Sequence, residues 1–183
     1  MSRAGPAFDL QPTLRGRLVA LRPLREEDFP ALFAVASDPL IWEQHPDKDR
    51  CTEPVFRRFF EGAMASRGAL LATDAADGHV IGTSRYHDWV PERSEVEIGW
   101  TFLARSHWGG RCNGEMKRLM LEHAFRFVDT VVFTVHESNW RSQRALEKIG
   151  AVRTRSGPDR IGRPSVFFRI SAEAFRRGPL AGS

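Results

Sequence analysis

The stretch EVEIGWTFLARSHWGGRCNGEMK, Glu95 to Lys117, sets chemistry-bearing groups in a tight order. Val96, Ile98, Trp100 and Phe102 alternate with Glu95, Glu97, Gly99, Thr101 and Leu103, the period of a half-buried strand. A turn containing Trp108, Gly109, Gly110, Arg111, Cys112, Asn113 and Gly114 follows, and a helix begins there. Helix N-termini leave backbone N–H groups unpaired and carry partial positive charge. A glycine-containing turn ahead of such an end lets the main chain approach a phosphate. The segment therefore reads as an anion cradle on a strand–turn–helix unit. It is neither G-x-x-x-x-G-K-[ST] nor G-x-G-x-x-G, so the ATP P-loop and the dinucleotide fingerprint are absent. The bland alternative is a tight turn with a satisfied helix end.

A second constellation lies downstream. Val131–His136, VVFTVH, is an apolar run suited to a buried strand. In SNWRSQRALEKIGA, Asn139 is a candidate N-cap, and Ala145, Leu146 and Ile149 form an apolar stripe. Gly150 stands where a helix end wants positive φ, and Ser142 lies one turn into the helix.

The elements that must position these groups follow in order. Arg17–Arg22 reads as a strand, and Glu26–Ala36 and Glu53–Ala65 as helices. The second helix is capped by Thr52, with Pro54 in its first turn. Ala69–Thr73 and His79–Tyr86 form a hairpin around Asp77-Gly78, and Glu95–Leu103 pairs next. The helix after the turn shows Met116, Leu119, Met120, Ala124 and Phe127 as one apolar stripe. Ala151–Arg155 and Ser165–Ile170 complete a mixed α/β sheet with helices on its faces.

On EIGWTFL, WGGRCNGEMK, ESNWRSQRALEKIGA and the N-terminal LRPLREEDFPALFAVASDP, the chain resembles the GCN5-related N-acetyltransferase family. Within it, the chain is similar to the ribosomal-protein N-terminal acetyltransferases. With the element order, the likeness runs from about Leu14 to Ile170. It implies a single-domain fold with about four helices around a mixed, mostly antiparallel sheet. That sheet splays between its fourth and fifth strands, here Glu95–Leu103 and Val131–His136, and acetyl-coenzyme A sits in the gap.

The resemblance carries over residue by residue. The family's pyrophosphate turn has the form Q/R-x-x-G-x-G/A. This chain has Trp108 at the first position, Arg111 at the first glycine and Asn113 at the last. A main-chain cradle tolerates such changes, and Arg111 either adds charge toward a phosphate or blocks its approach. Phe102 and Leu103 hold the positions whose main chain pairs with the pantetheine arm, and the Leu103 N–H is the donor implied for the thioester oxygen. Asn139 and Ser142 match the Asn and Ser near the thioester. Many members carry a tyrosine four residues beyond that serine, where this chain has Leu146.

Acetyl transfer to an amine needs a base to take the amine proton, directly or through water. Glu97 is the first candidate and Glu95, on the same face, the second. A solvated carboxylate is the plain alternative for either. Ser142 is the candidate donor to the departing thiolate, against a local bond to its own helix. Trp42, Tyr86, His87 and Trp89 fall in regions that line the family's acceptor cleft, as does His45. Cys112 lies at a helix start, where a thiolate is favoured, yet no His or acid follows at a suggestive spacing, so a packing role is expected.

The chain has 183 residues, a net charge of +4 and a pI near 9.7, with Arg outnumbering Lys. That length suits one core. Short Arg runs without an aromatic ladder disfavour a pure nucleic-acid module, although RNA or a ribosome remains a partner that basicity allows. No long apolar span is present, and Met1–Pro12 lacks a signal-peptide pattern. The expected layout is a tail over 1–12, the acetyltransferase domain over 13–175 and a second tail over 176–183. Two distant cysteines show no metal or disulfide spacing, so no metal is expected and a cytoplasmic setting is. The expected partners are acetyl-coenzyme A and an amine, either a peptide or ribosomal-protein terminus or a small molecule, with a homodimer as one assembly. The rival functions are a coenzyme A-binding regulatory module and an RNA- or ribosome-binding domain.

Overall fold

The computed structural model describes residues 7–181. Eight strands form one sheet in the order β1-β2-β3-β4-β5-β6-β8-β7. They are β1 (Leu14–Arg15), β2 (Val19–Pro23), β3 (Ala69–Asp74), β4 (Val80–Val90), β5 (Glu95–Leu103), β6 (Thr130–His136), β7 (Val152–Pro158) and β8 (Pro164–Ser171). The helices are α1 (Phe29–Ala36), α2 (Glu53–Ala65), α3 (Cys112–Ala124), α4 (Trp140–Lys148) and α5 (Ala172–Arg177). All pairings are antiparallel except β5–β6. The two-residue β1 shifts the count by one, so the family's fourth and fifth strands are β5 and β6 here.

Successive residues of β3 alternate between two cores. Leu70 and Ala72 join a cluster with the apolar faces of α3, α4 and α5, while Ala69 and Leu71 join one with α1 and α2. A strand covered on both faces loses the polar alternation of a half-solvated one. The α3 stripe of Met116, Leu119, Met120 and Ala124 is buried, and Phe127 packs on the same cluster just beyond the helix end.

Several boundaries differ from the sequence reading. The expected strand over Arg17–Arg22 starts later, at Val19, and runs to Pro23. The Glu115 carboxylate accepts from the amides of Arg17, Leu18 and Val19 at 3.0, 2.6 and 2.8 Å, drawing the chain into a turn. Glu26–Asp28 is a 3-10 turn rather than α-helix, with the Asp28 carboxylate held by Arg22 and by the Arg25 amide. Thr52 does not cap α2 through its side chain, since its hydroxyl donates to the Asp49 carbonyl instead.

The tails are shorter than expected. Phe8 is buried against Tyr86, Trp89, His123 and Phe127, and His123 contacts the Asp9 carbonyl. The expected boundary after residue 175 falls inside α5, whose Phe175 is buried. Leu180 packs on the same core. The rest of the expected tails, 1–6 and 182–183, lies outside the described residues.

Candidate active site

The β5–β6 ladder is short. Its register pairs are Glu95 with Thr130, Val96 with Val131 and Glu97 with Val132, and beyond them the two strands diverge. β6 continues on β8 as far as His136, while β5 continues on β4 as far as Leu103. Glu97 therefore stands where the sheet forks.

One end of the fork carries the turn before α3. Gly109 has φ +67°, in the left-handed region that glycine enters at no steric cost. Among the described residues the main-chain N–H groups of 109–114 make no hydrogen bond to another backbone group; the first one into the helix runs from the Glu115 amide to the Arg111 carbonyl. No side chain caps this helix end. The donors an anion requires are thus open, which fits a pyrophosphate without calling on the side chains of Arg111 or Asn113.

Trp108 acts as a brace in this turn. Its Nε1 donates to the Leu103 carbonyl at 2.9 Å, and the Arg141 guanidinium of α4 stacks on its ring at 3.9 Å. The Leu103 oxygen is therefore engaged within the chain. Burial, Asp74 and Glu115 push the Cys112 thiol up, against the thiolate that a helix start would favour, so Cys112 is a packing residue.

α4 borders the other side of the fork. Asn139 caps it as expected, its Oδ1 accepting from the Ser142 amide at 3.1 Å, and Gly150 ends it at φ +88°. Ser142 is half-buried one turn in. Leu146 is buried in the core. The loop after α1 reaches this helix through the Arg141 amide, which donates to Gln44 Oε1 at 3.0 Å.

The acceptor candidates separate. His87 and Glu97 are register partners on β4 and β5, with His87 Nε2 at 3.8 Å from Glu97 Oε1 and His87 Nδ1 at 2.8 Å from Asp88 Oδ2. His87 Nε2 is buried without a hydrogen-bond partner. The β7–β8 loop closes over this side, Arg160 pairing with Asp88 at 2.6 Å and Arg163 with Asp47 at 2.8 Å. Glu95 lies nearer the closed end of the fork and pairs with Arg93 at 3.2 Å.

Three aromatic candidates do not join the cleft as lining residues. Tyr86 faces the α3 core, fully buried, and its hydroxyl donates to the Met120 carbonyl at 2.6 Å. Burial pushes that phenol well above its ordinary value. Trp89 packs against Phe8. Trp42 is buried in the α1–α2 core with its indole N–H on the Ala36 carbonyl.

Two residues in this region are given no site role by the sequence. Trp100 breaks the expected alternation. It has φ +55° at a bulge where the β4–β5 register slips between Thr83 and Arg85, and it is 46% exposed instead of buried. Phe102 consequently faces the α1–α2 core, not the core that holds Val96 and Ile98. Lys117 of α3 lies buried beneath the fork. Its Nζ donates to Thr101 Oγ1 at 2.7 Å and sits 5.7 Å from the Phe133 ring, and burial pulls its pKa down to about 7.

Two clusters bring three potential ligand atoms each within 4.8 Å, His87–Asp88–Glu97 and Asp74–His79–His107. Members of each cluster contact one another, His87 with Asp88 and His107 with Asp74 by hydrogen bonds.

A family profile of the GNAT acetyltransferase domain matches residues 18–152. The chain belongs to the GNAT acetyltransferase family. It is an N-acetyltransferase with the family's mixed α/β fold. A candidate acetyltransferase from T. thermophilus is 29% identical, with a TM-score of 0.74 over 98% of this chain and 96% of that one. A GCN5-related N-acetyltransferase from Brucella melitensis is 20% identical, with a TM-score of 0.81 over 93% and 82%. Mycobacterium smegmatis RimJ, solved with CoA-disulfide, is 20% identical, with a TM-score of 0.71 over 93% and 90%. No curated protein sequence matches the chain significantly. No helix among the described residues is long and apolar enough to cross a membrane.

Proposed function

We propose that this GNAT protein transfers an acetyl group from acetyl-coenzyme A to a primary amine by direct attack, with Glu97 as the base. The observation that carries the reading is the position of Glu97. It stands at the fork of β5 and β6, side chain 14% exposed, with His87 beside it. A positioned base must lie within reach of the amine, directly or through one water. Asp88 orients the His87 ring. With its Nδ1–H on Asp88, His87 presents a lone pair on Nε2 next to Glu97, ready to share the proton.

Acetyl-coenzyme A supplies an activated acetyl group on a thiol that leaves readily. The chain's own part is to hold and orient. The open amides of 109–114 would hold the pyrophosphate, the Phe102–Leu103 main chain would line the pantetheine path, and the Leu103 N–H would be the donor to the thioester oxygen. Asn139 and Ser142 border the thiol, and Ser142 Oγ donates to it as it leaves. Free Cys51 and Cys112 suit the reducing cytoplasm.

The test is an acceptor screen with acetyl-coenzyme A and thiol detection, covering amino acids, polyamines and ribosomal-protein N-terminal peptides. Thiol release with an amine, lost in Glu97→Gln, supports the reading. Binding of acetyl-coenzyme A with no release for any amine overturns it in favour of a regulatory module.

A further inference from the structure

On the acceptor side of the fork one buried arginine, Arg85, has no carboxylate partner among the described residues. Arg85 lies two residues before His87 on the same side of β4, and its register partner is Gly99, two residues beyond Glu97. It is only 7% exposed, yet no carboxylate of the described chain pairs with it. Its Nε is buried without a hydrogen-bond partner. Instead its guanidinium stacks on Trp100 at 4.8 Å and reaches Phe59 at 5.9 Å.

Arg50 is equally buried and stacks on the same rings, at 5.4 Å from Trp100 and 5.0 Å from Phe59. Its partner Asp47 is shared with Arg163. Burial and the charge of Arg50 together bring Arg85 down to about 10. Arg50, Phe59 and Trp100 also line a cavity of about 320 Å³, together with Val55, Arg58 and the two acids Asp47 and Asp49. Arg85 stacks on Trp100, one of the residues that line that cavity. A buried arginine left without an anion is costly unless a ligand provides one.

We propose that the amine acceptor carries a carboxylate a few bonds from its amino group, and that Arg85, with Arg50 behind it, binds that carboxylate while Glu97 and His87 face the amine. Diagonal neighbours across an antiparallel pair stand about 7–8 Å apart, a span that Arg and Glu side chains close onto one small amino acid. The flat guanidinium matches a carboxylate in bidentate fashion. The inference rests on the acceptor reading of the Glu97–His87 face and adds the substrate class to it.

The experiment compares methionine with methioninamide, and tryptophan with tryptamine, as acceptors for wild type, Arg85→Gln and Arg85→Lys. A peptide with an N-terminal aspartate forms a further arm. In wild type the carboxylate-bearing acceptor is expected to have a kcat/KM about 10- to 100-fold above its uncharged match. In Arg85→Gln that ratio falls towards one, mainly through KM, and Arg85→Lys restores part of it. Preference for the aspartyl peptide over free amino acids would move the carboxylate to a peptide side chain and overturn the small-molecule assignment. A wild-type ratio near one, or one unchanged in Arg85→Gln, overturns the whole inference. Melting curves with each amine, without acetyl-coenzyme A, keep the two readings apart. Stabilisation by the amino carboxylates alone, lost in Arg85→Gln, upholds the anion site even if no amine is turned over. Equal shifts with and without the carboxylate count against it.

Discussion

On the proposed function, the two ends of the fork would recognise their ligands by different means. At the α3 end the donors are backbone amides of 109–114, and side chains contribute little; Trp108 turns inward as a brace. At the β4–β5 face the groups are side chains, Glu97, His87, Arg85 and Trp100, each fixed by a neighbour. Main-chain recognition survives substitution, because every residue but proline supplies the same N–H. Side-chain recognition changes with each residue. This explains how the chain departs from the family's turn at Trp108, Arg111 and Asn113 and still keeps open donors.

The largest effect should fall on the side-chain end. Glu97→Gln is expected to lower kcat by ~10²–10⁴-fold while acetyl-coenzyme A affinity stays nearly constant. Steady-state kinetics at neutral pH, with cofactor binding measured separately, checks this. Turnover near wild type would hand the proton to His87 or to solvent.

The main-chain end should show itself in stability. Acetyl-coenzyme A at about 100 times its Kd is expected to add ~2.7 kcal/mol to unfolding. Restoring the family's glycine with Arg111→Gly should shift that gain by no more than about 0.5 kcal/mol, the scale of an exposed substitution. A larger loss would show that the Arg111 side chain holds the phosphates, and the contrast between the two ends would fail. Paired melting curves with and without ligand decide it.

How far each end was legible follows from the same contrast. Regular spacing marks regular backbone, so the ranges of α2 and β5 and the Asn139 cap could be read from residue order alone. The bulge at Trp100 could not. It inserts one residue into an alternation whose members all remain apolar or small, so the pattern looks unbroken on paper. Tyr86 was assigned to the acceptor from its region in the chain, but β4 is covered on both faces and a one-residue offset sends a side chain into the opposite core. Arg85 had only a faint signal, the one charge in the otherwise uncharged run IGTSRY, which tertiary burial made meaningful.

Lys117 tests the floor between the two ends, since its Nζ lies between Thr101 of β5 and Phe133 of β6. Its folded pKa of about 7 lies below the ordinary lysine value of 10.5. The native state therefore sheds a proton that the unfolded chain keeps, and stability rises with pH between about 7 and 10.5. Below that window the burial cost is constant. The slope for one proton is at most about 1.4 kcal/mol per pH unit. Urea unfolding at pH 7.5 and 8.5 should show this rise in wild type and lose it in Lys117→Met. Equal slopes would mean that Lys117 stays charged beneath the fork.

Ser142 should give the smallest effect, and it asks whether the α4 border behaves like the main-chain end or the side-chain end. Its amide is already held by Asn139, so removing the hydroxyl leaves the helix cap in place. Leu146 is buried and offers no proton, so Ser142 Oγ is the donor proposed for the departing thiolate. One neutral hydrogen bond is worth about 1 kcal/mol, so Ser142→Ala is expected to lower kcat several-fold with acetyl-coenzyme A affinity unchanged. A loss of several orders of magnitude would place α4 with the side-chain end, as a second point where one residue decides the chemistry. No loss at all would mean that the thiolate leaves without a protein donor. The α4 border would then act as the phosphate turn does, through the placement of its backbone.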